Sequence, residues 1–243
     1  METCTLTLLS IGQRALREIG EFEVPTSFVG NTNLTAVQIL ALADRSGRTM
    51  ALNHQWQALT KEDTFTTTAT ETQSSVLNAD FWYFRSMTWW DRNNRWPLAG
   101  PATAAQWQAF KGSQIQITAP YVFRQRGNAI LLYPVPTAGL TIAYEYQSKY
   151  WVDTNADGAG DAAQFAADTN TALIDEDLIT LDVIWRFKKA KGLPYAEEMA
   201  EFEMARAMLF GRDADKKSVN LVRRPRAPEL PFLYPVESGY GSA

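Results

Sequence analysis

TALIDEDLITLDVIWRFKKAKGLPYAEEMAEFEMARAMLFG, residues 171–211, carries two helical patterns on either side of one turn. In its first half Ile174, Leu178, Leu181 and Trp185 recur three or four residues apart, the spacing that places side chains on one helical face. Asp175 and Asp177 stand where carboxylates favour a helix N-terminus, and Lys188, Lys189 and Lys191 fall in the last turn, where cations oppose the dipole. Gly192 can adopt the left-handed conformation that ends a helix, and Pro194 suits the first turn of a new one. Tyr195, Met199, Phe202, Ala205 and Leu209 then repeat the apolar stripe, with Glu197, Glu198 and Glu201 near its start. Two helices joined so closely are expected to lie antiparallel, each covering the other.

Working outward, Thr5 is a candidate cap for a first helix in which Leu9, Leu16 and Ile19 share a face and Gly20 is the stop. GEFEVPTSFVGNTN, residues 20–33, reads as a loop delivering Asn33 as the next cap. From Leu34 to about Leu59, Val37, Leu40, Ala43, Gly47, Met50 and His54 recur at helical spacing, with Gly47 costing about 1 kcal/mol unless close packing offsets it. From TFTTTAT, residues 64–70, the period changes to two. Gly127-Asn128 marks a hairpin turn between strands at 121–125 and 129–133, ended by Pro134 and Pro136. Ile115 and Ile117 alternate before it, and Leu140, Ile142, Tyr144 and Tyr146 after it, so 113–148 is expected to form an antiparallel meander.

The fold class predicted is α+β: N- and C-terminal helices forming an antiparallel bundle from residues 1–60 and 174–212, a β-rich insertion at 61–173, and an extended C-terminal arm at 213–243. The insertion includes a Trp-rich segment holding Trp82, Trp89, Trp90, Trp96 and Trp107, with Phe81, Tyr83, Phe84 and Phe110. Such aromatics fill cores and interfaces more often than they bind sugars or bases. In the arm, Pro225, Pro228, Pro231 and Pro235 remove backbone donors, so it neither extends the helix nor pairs as a central strand. Leu230, Phe232, Leu233 and Tyr234 between them are too apolar for a solvated linker, and with Arg223, Arg224 and Arg226 they are the candidate partner-binding residues.

A chain of 243 residues, 46% hydrophobic and 21% charged, can bury a sizeable core. No apolar run approaches the ~18–20 residues of a membrane span, and no basic region precedes the first apolar residues, so neither membrane insertion nor export by a signal peptide is expected. A single cysteine, Cys4, excludes an internal disulfide and fits synthesis in a cytoplasm. Net charge -4 and pI ≈ 5.2 argue against a protein that grips phosphates; loose passage of DNA stays open.

Catalytic chemistry finds little to use. One histidine, His54, on an apolar helical face reads as a packed core or interface residue, and GxSxG, phosphate-loop and dinucleotide motifs are absent. Glu197 and Glu201 read as helix-dipole partners rather than an acid–base pair. Asp153, Asn155, Asp157, Gly158 and Asp161 match positions 1, 3, 5, 6 and 9 of a calcium loop, but position 12 is Gln164, so the same residues also read as an ordinary turn. Calcium is therefore a minor candidate at Asp153, Asn155, Asp157 and Asp161, and no other cofactor is expected.

YVFRQRGNAILLYPVPTAGLTIAYEYQSKYWV (121–152) followed by FAADTNTALIDEDLITLDVIWRFKKAKGLPYAEEMAEFEMA (165–205) resembles the head-to-tail adaptor proteins of short-tailed bacteriophages, the tail tubular protein A type. LLSIGQRALREIG (8–20) is similar to that family's first helix. The resemblance implies a non-enzymatic virion protein at the head–tail junction, made in the host cytoplasm. It further implies a homo-oligomeric ring, a dodecamer, below the portal protein and above a tail nozzle or tail tube protein, with helices around the genomic DNA channel. The Trp-rich segment and the calcium-like loop are not part of that pattern. Two other readings stand beside it: a carbohydrate-binding module using Trp89, Trp90 and Trp96 as a stacking platform, and an enzyme with an unrecognised carboxylate site.

Overall fold

Helix α1 (Leu8–Ile19) starts where Thr7 Oγ1 accepts a hydrogen bond from the Ser10 N–H, in a computed structural model that describes residues 6–21, 23–112 and 121–213. Thr7 is thus the cap expected at Thr5, which lies outside the described residues. Helix α2 (Leu34–Asn53) is capped by Asn33, as its sequence predicts, but ends six residues before the expected Leu59. The Trp56 ring folds back and its Nε1–H donates to the Met50 carbonyl, taking an acceptor that a continuing helix would use. Residues Gln57–Leu59 form one 3-10 turn that turns the chain into the sheets.

Among the described residues, ten strands and one short helix follow: β1 (Thr60–Thr66), β2 (Thr72–Gln73), β3 (Phe81–Phe84), β4 (Trp90–Asp91), β5 (Trp96–Pro97), α3 (Ala104–Gly112), β6 (Val122–Arg126), β7 (Ala129–Tyr133), β8 (Thr141–Ser148), β9 (Val152–Asp153) and β10 (Thr171–Ala172). The hairpin β6–β7 forms where Gly127-Asn128 predicts it, with Gln125 across from Ile130. The first strand of the predicted meander, at Ile115 and Ile117, lies outside the described residues, and the later part does not run on from β7 to β8. Strand β7 pairs with β6 and β2, whereas β8 is the centre of a separate five-stranded sheet. There β1 runs antiparallel along the whole of β8, and β3 and β4 share its other edge in succession. Pro134 and Pro136 end β7, as expected, and so free the next strand to enter another sheet.

The two sheets close on a shared aromatic core. Ile142, Tyr144 and Tyr146 of β8 pack with Ile130 and Leu132 of β7, Phe123 of β6, Leu98 and Trp89. Helix α3 is absent from the sequence reading, although its signature is visible. Thr103 Oγ1 accepts from Gln106 N–H while Gln106 Oε1 accepts from Thr103 N–H, a reciprocal capping box.

Helix α4 (Glu176–Ala190), capped by Asp175, packs against α1, α2 and α5 (Ala196–Asp213). Its burial exceeds the single predicted stripe: Leu178 is covered, but so are Ile179, Val183, Ile184 and Phe187, while Leu181 and Trp185 are half-buried. Helix α4 is therefore a central helix, enclosed by three others. Gly192, at φ 72°, makes the turn predicted for it, and Leu193 N–H returns to Lys188 O at 2.9 Å. Beyond the turn Lys188 pairs with Glu198 and the Trp185 ring meets Phe202, so contacts climb both helices away from the turn.

The core around α4 also takes Trp151, Val152 and Phe165 from the segment after β8. Gly47 explains itself here, because a methyl on its Cα would overlap the six-membered ring of Trp151. Close approach offsets the helix cost of glycine, as the sequence reading required.

Candidate functional site

Three surfaces carry chemistry. The first is the outward face of the five-stranded sheet. Because β8 alternates, Tyr144 and Tyr146 enter the core while Ala143 and Glu145 face the other way. The register sets Glu62 of β1 across from Glu145 and Trp90 of β4 across from Ala143. With Met87, Arg92 and Arg95 they line a cavity of about 590 Å³. Trp90 is 45% exposed and Met87 69% exposed. Arg92 forms an ion pair with Glu62, and Asp91 spends its carboxylate on Asn93 N (2.9 Å), Asn94 N (3.1 Å) and Asn94 Nδ2 (2.7 Å), which fixes the turn. Among the described residues, Glu145 and Arg95 make no ion pair with their side chains. The arrangement is an apolar floor between unpaired charges of both signs, suited to a polypeptide partner.

The three-tryptophan platform is not built. Trp89 is 1% exposed, stacked between Phe123 at 4.0 Å and Tyr144 at 4.6 Å. Trp96 lies across from Asp91, one residue along from Trp90, and so faces away from it. Trp107 is buried like Trp89, and Trp82 is exposed. The Trp-rich segment thus divides between core and surface.

The second surface is the outer side of α5. Phe202 is buried and Tyr195, Ala205 and Leu209 are half-covered as the stripe predicts, but Met199 is exposed, with Met204 and Met208. A surface helix showing this much methionine has the composition of an adaptable contact.

The third is the end of α5, where the chain leaves the described residues. His54 stacks on Phe210 at 4.2 Å, meets Trp56 edge-on at 4.8 Å, and places Nε2 3.0 Å from Asp213 Oδ2. Asp213 also accepts from Gln57 N–H, fastening the last turn of α5 to the start of the sheets. His54 is a packed residue, as its place on the apolar face predicts. Arg223, Arg224, Arg226, Leu230, Phe232, Leu233 and Tyr234 lie outside the described residues.

The loop with calcium-like spacing is closed on itself. Asp153 Oδ1 accepts from Asn155 and Ala156 N–H and Oδ2 from Gly158 N–H, while Asp161 Oδ2 accepts from Thr154 Oγ1 and Asn155 Nδ2. Asp157 accepts from Ala159 N–H, and the Thr154 hydroxyl holds the Asp161 carboxyl below its ordinary value. Among the described residues no group of three or more His, Cys, Asp or Glu is placed to hold a metal.

Inside the sheets, Asp80 accepts from Lys61 Nζ (2.8 Å), Tyr146 Oη (2.9 Å) and Ser148 Oγ (2.9 Å). Burial raises its pKa, but these three donors outweigh burial and leave the carboxyl below its ordinary range. The same burial pushes the Tyr146 phenol up to about 12. This is a structural junction whose carboxylate is met by three donors.

Among the described residues none of the three surfaces gathers a nucleophile, a base and a cavity, and the first two expose apolar side chains. The family model described as SU10 adaptor protein matches residues 6–228, most of the chain. The chain belongs to the SU10 adaptor protein family. No curated protein matches it. As an SU10 adaptor the chain is a phage structural protein of the head-to-tail adaptor kind, and the carbohydrate-module reading is not favoured. The sequence signals missed were Glu62, Met87, Arg95 and Glu145, which become neighbours only through the register of β8 with β1 and β4.

Proposed function

We propose that this adaptor assembles as a closed ring, a dodecamer, that joins the portal to a tail nozzle or tail tube protein of a short tail. It sits at the head–tail junction of the virion after synthesis in the host cytoplasm, and it surrounds the DNA path used in ejection without catalysing a reaction. Residues 1–60 and 174–212 act as its antiparallel helical bundle, 61–173 as the β-rich insertion, and 213–243 as an arm that reaches a partner.

Family membership together with the exposed Met199, Met204 and Met208 on α5 supports this reading. A ring repeats one head-to-tail contact until rotation closes it, and each subunit must then show an apolar face with no cover of its own. The net charge of -4 supports loose passage of DNA over tight phosphate binding, which needs a concentrated excess of Lys and Arg. Electron micrographs of the purified chain with portal rings are the test. Ring-shaped particles on portal are expected; a chain that stays monomeric beside portal, or that holds DNA tightly at physiological salt, overturns the reading.

A further inference from the structure

We propose that the outward face of the five-stranded sheet, around Trp90, receives the proline-spaced C-terminal segment of an adjacent copy of this chain, a proposal that rests on the ring reading above. The segment is RRPRAPELPFLYP, residues 223–235. Pro225, Pro228 and Pro231 recur every third residue, the period of a polyproline II helix, so in that conformation their rings stand along one edge. Segments of this kind dock in grooves lined by exposed aromatic side chains. Arg224 and Arg226 flank the prolines, and guanidinium groups stack on tryptophan faces as well as pairing with carboxylates.

The sheet face supplies those features together. Trp90 and Met87 give an exposed apolar floor along a cavity of about 590 Å³. Glu145 stands beside it with no ion pair among the described residues, complementary to the arginines of the segment. Arg95, likewise unpaired there, complements Glu229. The charges of the groove and of the segment are both mixed and correspond in sign.

Reach allows a neighbouring copy to supply the segment. The chain leaves the described residues at Asp213, held by hydrogen bonds of 3.2 and 3.3 Å to the Gln57 N–H. Glu62 lies five residues beyond Gln57, at most about 17 Å of extended chain. Arg223 lies ten residues beyond Asp213, a tether of at most about 33 Å when fully extended. That tether is longer than its own groove requires, so it is long enough to carry the recognition residues across to the groove of a neighbour in a ring.

The test uses full-length chains in a Cys4→Ser background. Protomers carrying only Met87→Cys are mixed with protomers carrying only Phe232→Cys, oxidised with and without portal, and run on non-reducing gels, with micrographs of the same samples. Disulfide-linked pairs of the two protomers are expected. Trp90→Ala in the Met87→Cys protomer should lower their yield at least about tenfold, the loss of one aromatic anchor, without changing its melting. Glu145→Arg should lower it too, and Arg224→Glu with Arg226→Glu in the other protomer should restore it. Absence of cross-links between the two kinds of protomer, or a yield insensitive to Trp90→Ala, overturns the proposal. If rings still form on portal in that case, the ring reading stands and only the docking surface is lost; if no rings form, the ring reading fails on its own evidence.

Discussion

The helical core and the two-sheet core hide their large side chains by different means. Around α4, long helices bury aliphatic residues on repeating faces, and one glycine, Gly47, makes room for one tryptophan, Trp151. Between the sheets, strands as short as two residues enclose a stack of rings in which Trp89 lies between Phe123 and Tyr144. A short strand has no repeat to average over, so the direction of each side chain decides its fate. Trp89 is core and Trp90, its neighbour in sequence, is surface.

That contrast gives the largest expected effect. Trp89→Ala removes a fully buried ring from a stacked cluster, and it should destabilise the fold by about 3–5 kcal/mol in urea or guanidinium melts. A loss below about 1 kcal/mol would mean that the sheets collapse onto the gap and that the stack is less constrained than the stacked rings indicate.

The sheet core also contains a charged junction, at Asp80. Asp80→Asn removes the charge facing Lys61, Tyr146 and Ser148, and a loss of about 1.5–3 kcal/mol at pH 7 is expected from weakened charge-assisted hydrogen bonds. The pH dependence has a definite sign. The folded-state pKa of Asp80 is depressed, so its contribution is fully present above the ordinary aspartate range and is lost as pH falls through that range and then through the folded value. Melts from pH 7 down to pH 3 should show wild type and Asp80→Asn converging at the acid end; a gap that stays constant would remove the charge argument.

In the helical core the corresponding probe adds volume. Gly47→Ala should raise helix propensity by about 1 kcal/mol, yet the new methyl overlaps Trp151 and the net result should be a loss of about 1–3 kcal/mol. Stabilisation would show that Trp151 can move aside, which would make this core the softer of the two.

Much of the helical core was legible because helices announce themselves twice, by period and by caps. Asn33, Asp175, Gly20 and Gly192 stand where the sequence puts them, and His54 is packed. What failed there was local: Trp56 ends α2 early by taking the Met50 carbonyl, a side-chain bond that no periodicity encodes. The sheets were legible only as strands. Alternation located β6, β7 and β8, but pairing is a long-range property, and β8 joined β1, which lies about 80 residues earlier, instead of the adjacent β7. The groove was illegible for the same reason, since Glu62, Trp90 and Glu145 meet only after that pairing is made.

The smallest expected effect concerns α3, which the sequence reading passed over and whose capping box was nevertheless present in it. Thr103 and Gln106 exchange hydrogen bonds of 2.9 and 3.3 Å, closing the first turn of a nine-residue helix. Helices so short are marginal alone, and α3 is held to the sheet core by buried Trp107 and Phe110, which meet the Tyr133 ring of β7. Thr103→Ala should therefore cost about 0.5–2 kcal/mol, the value of a cap, and the loss should come from α3 and its contact with Tyr133. Amide exchange separates the two cores in this experiment: protection should fall in 104–112 and stay unchanged in α2 and α4. Equal loss of protection in α4 would show that the sheet core and the helical core unfold as one unit, and the contrast between them would then hold for packing but not for stability.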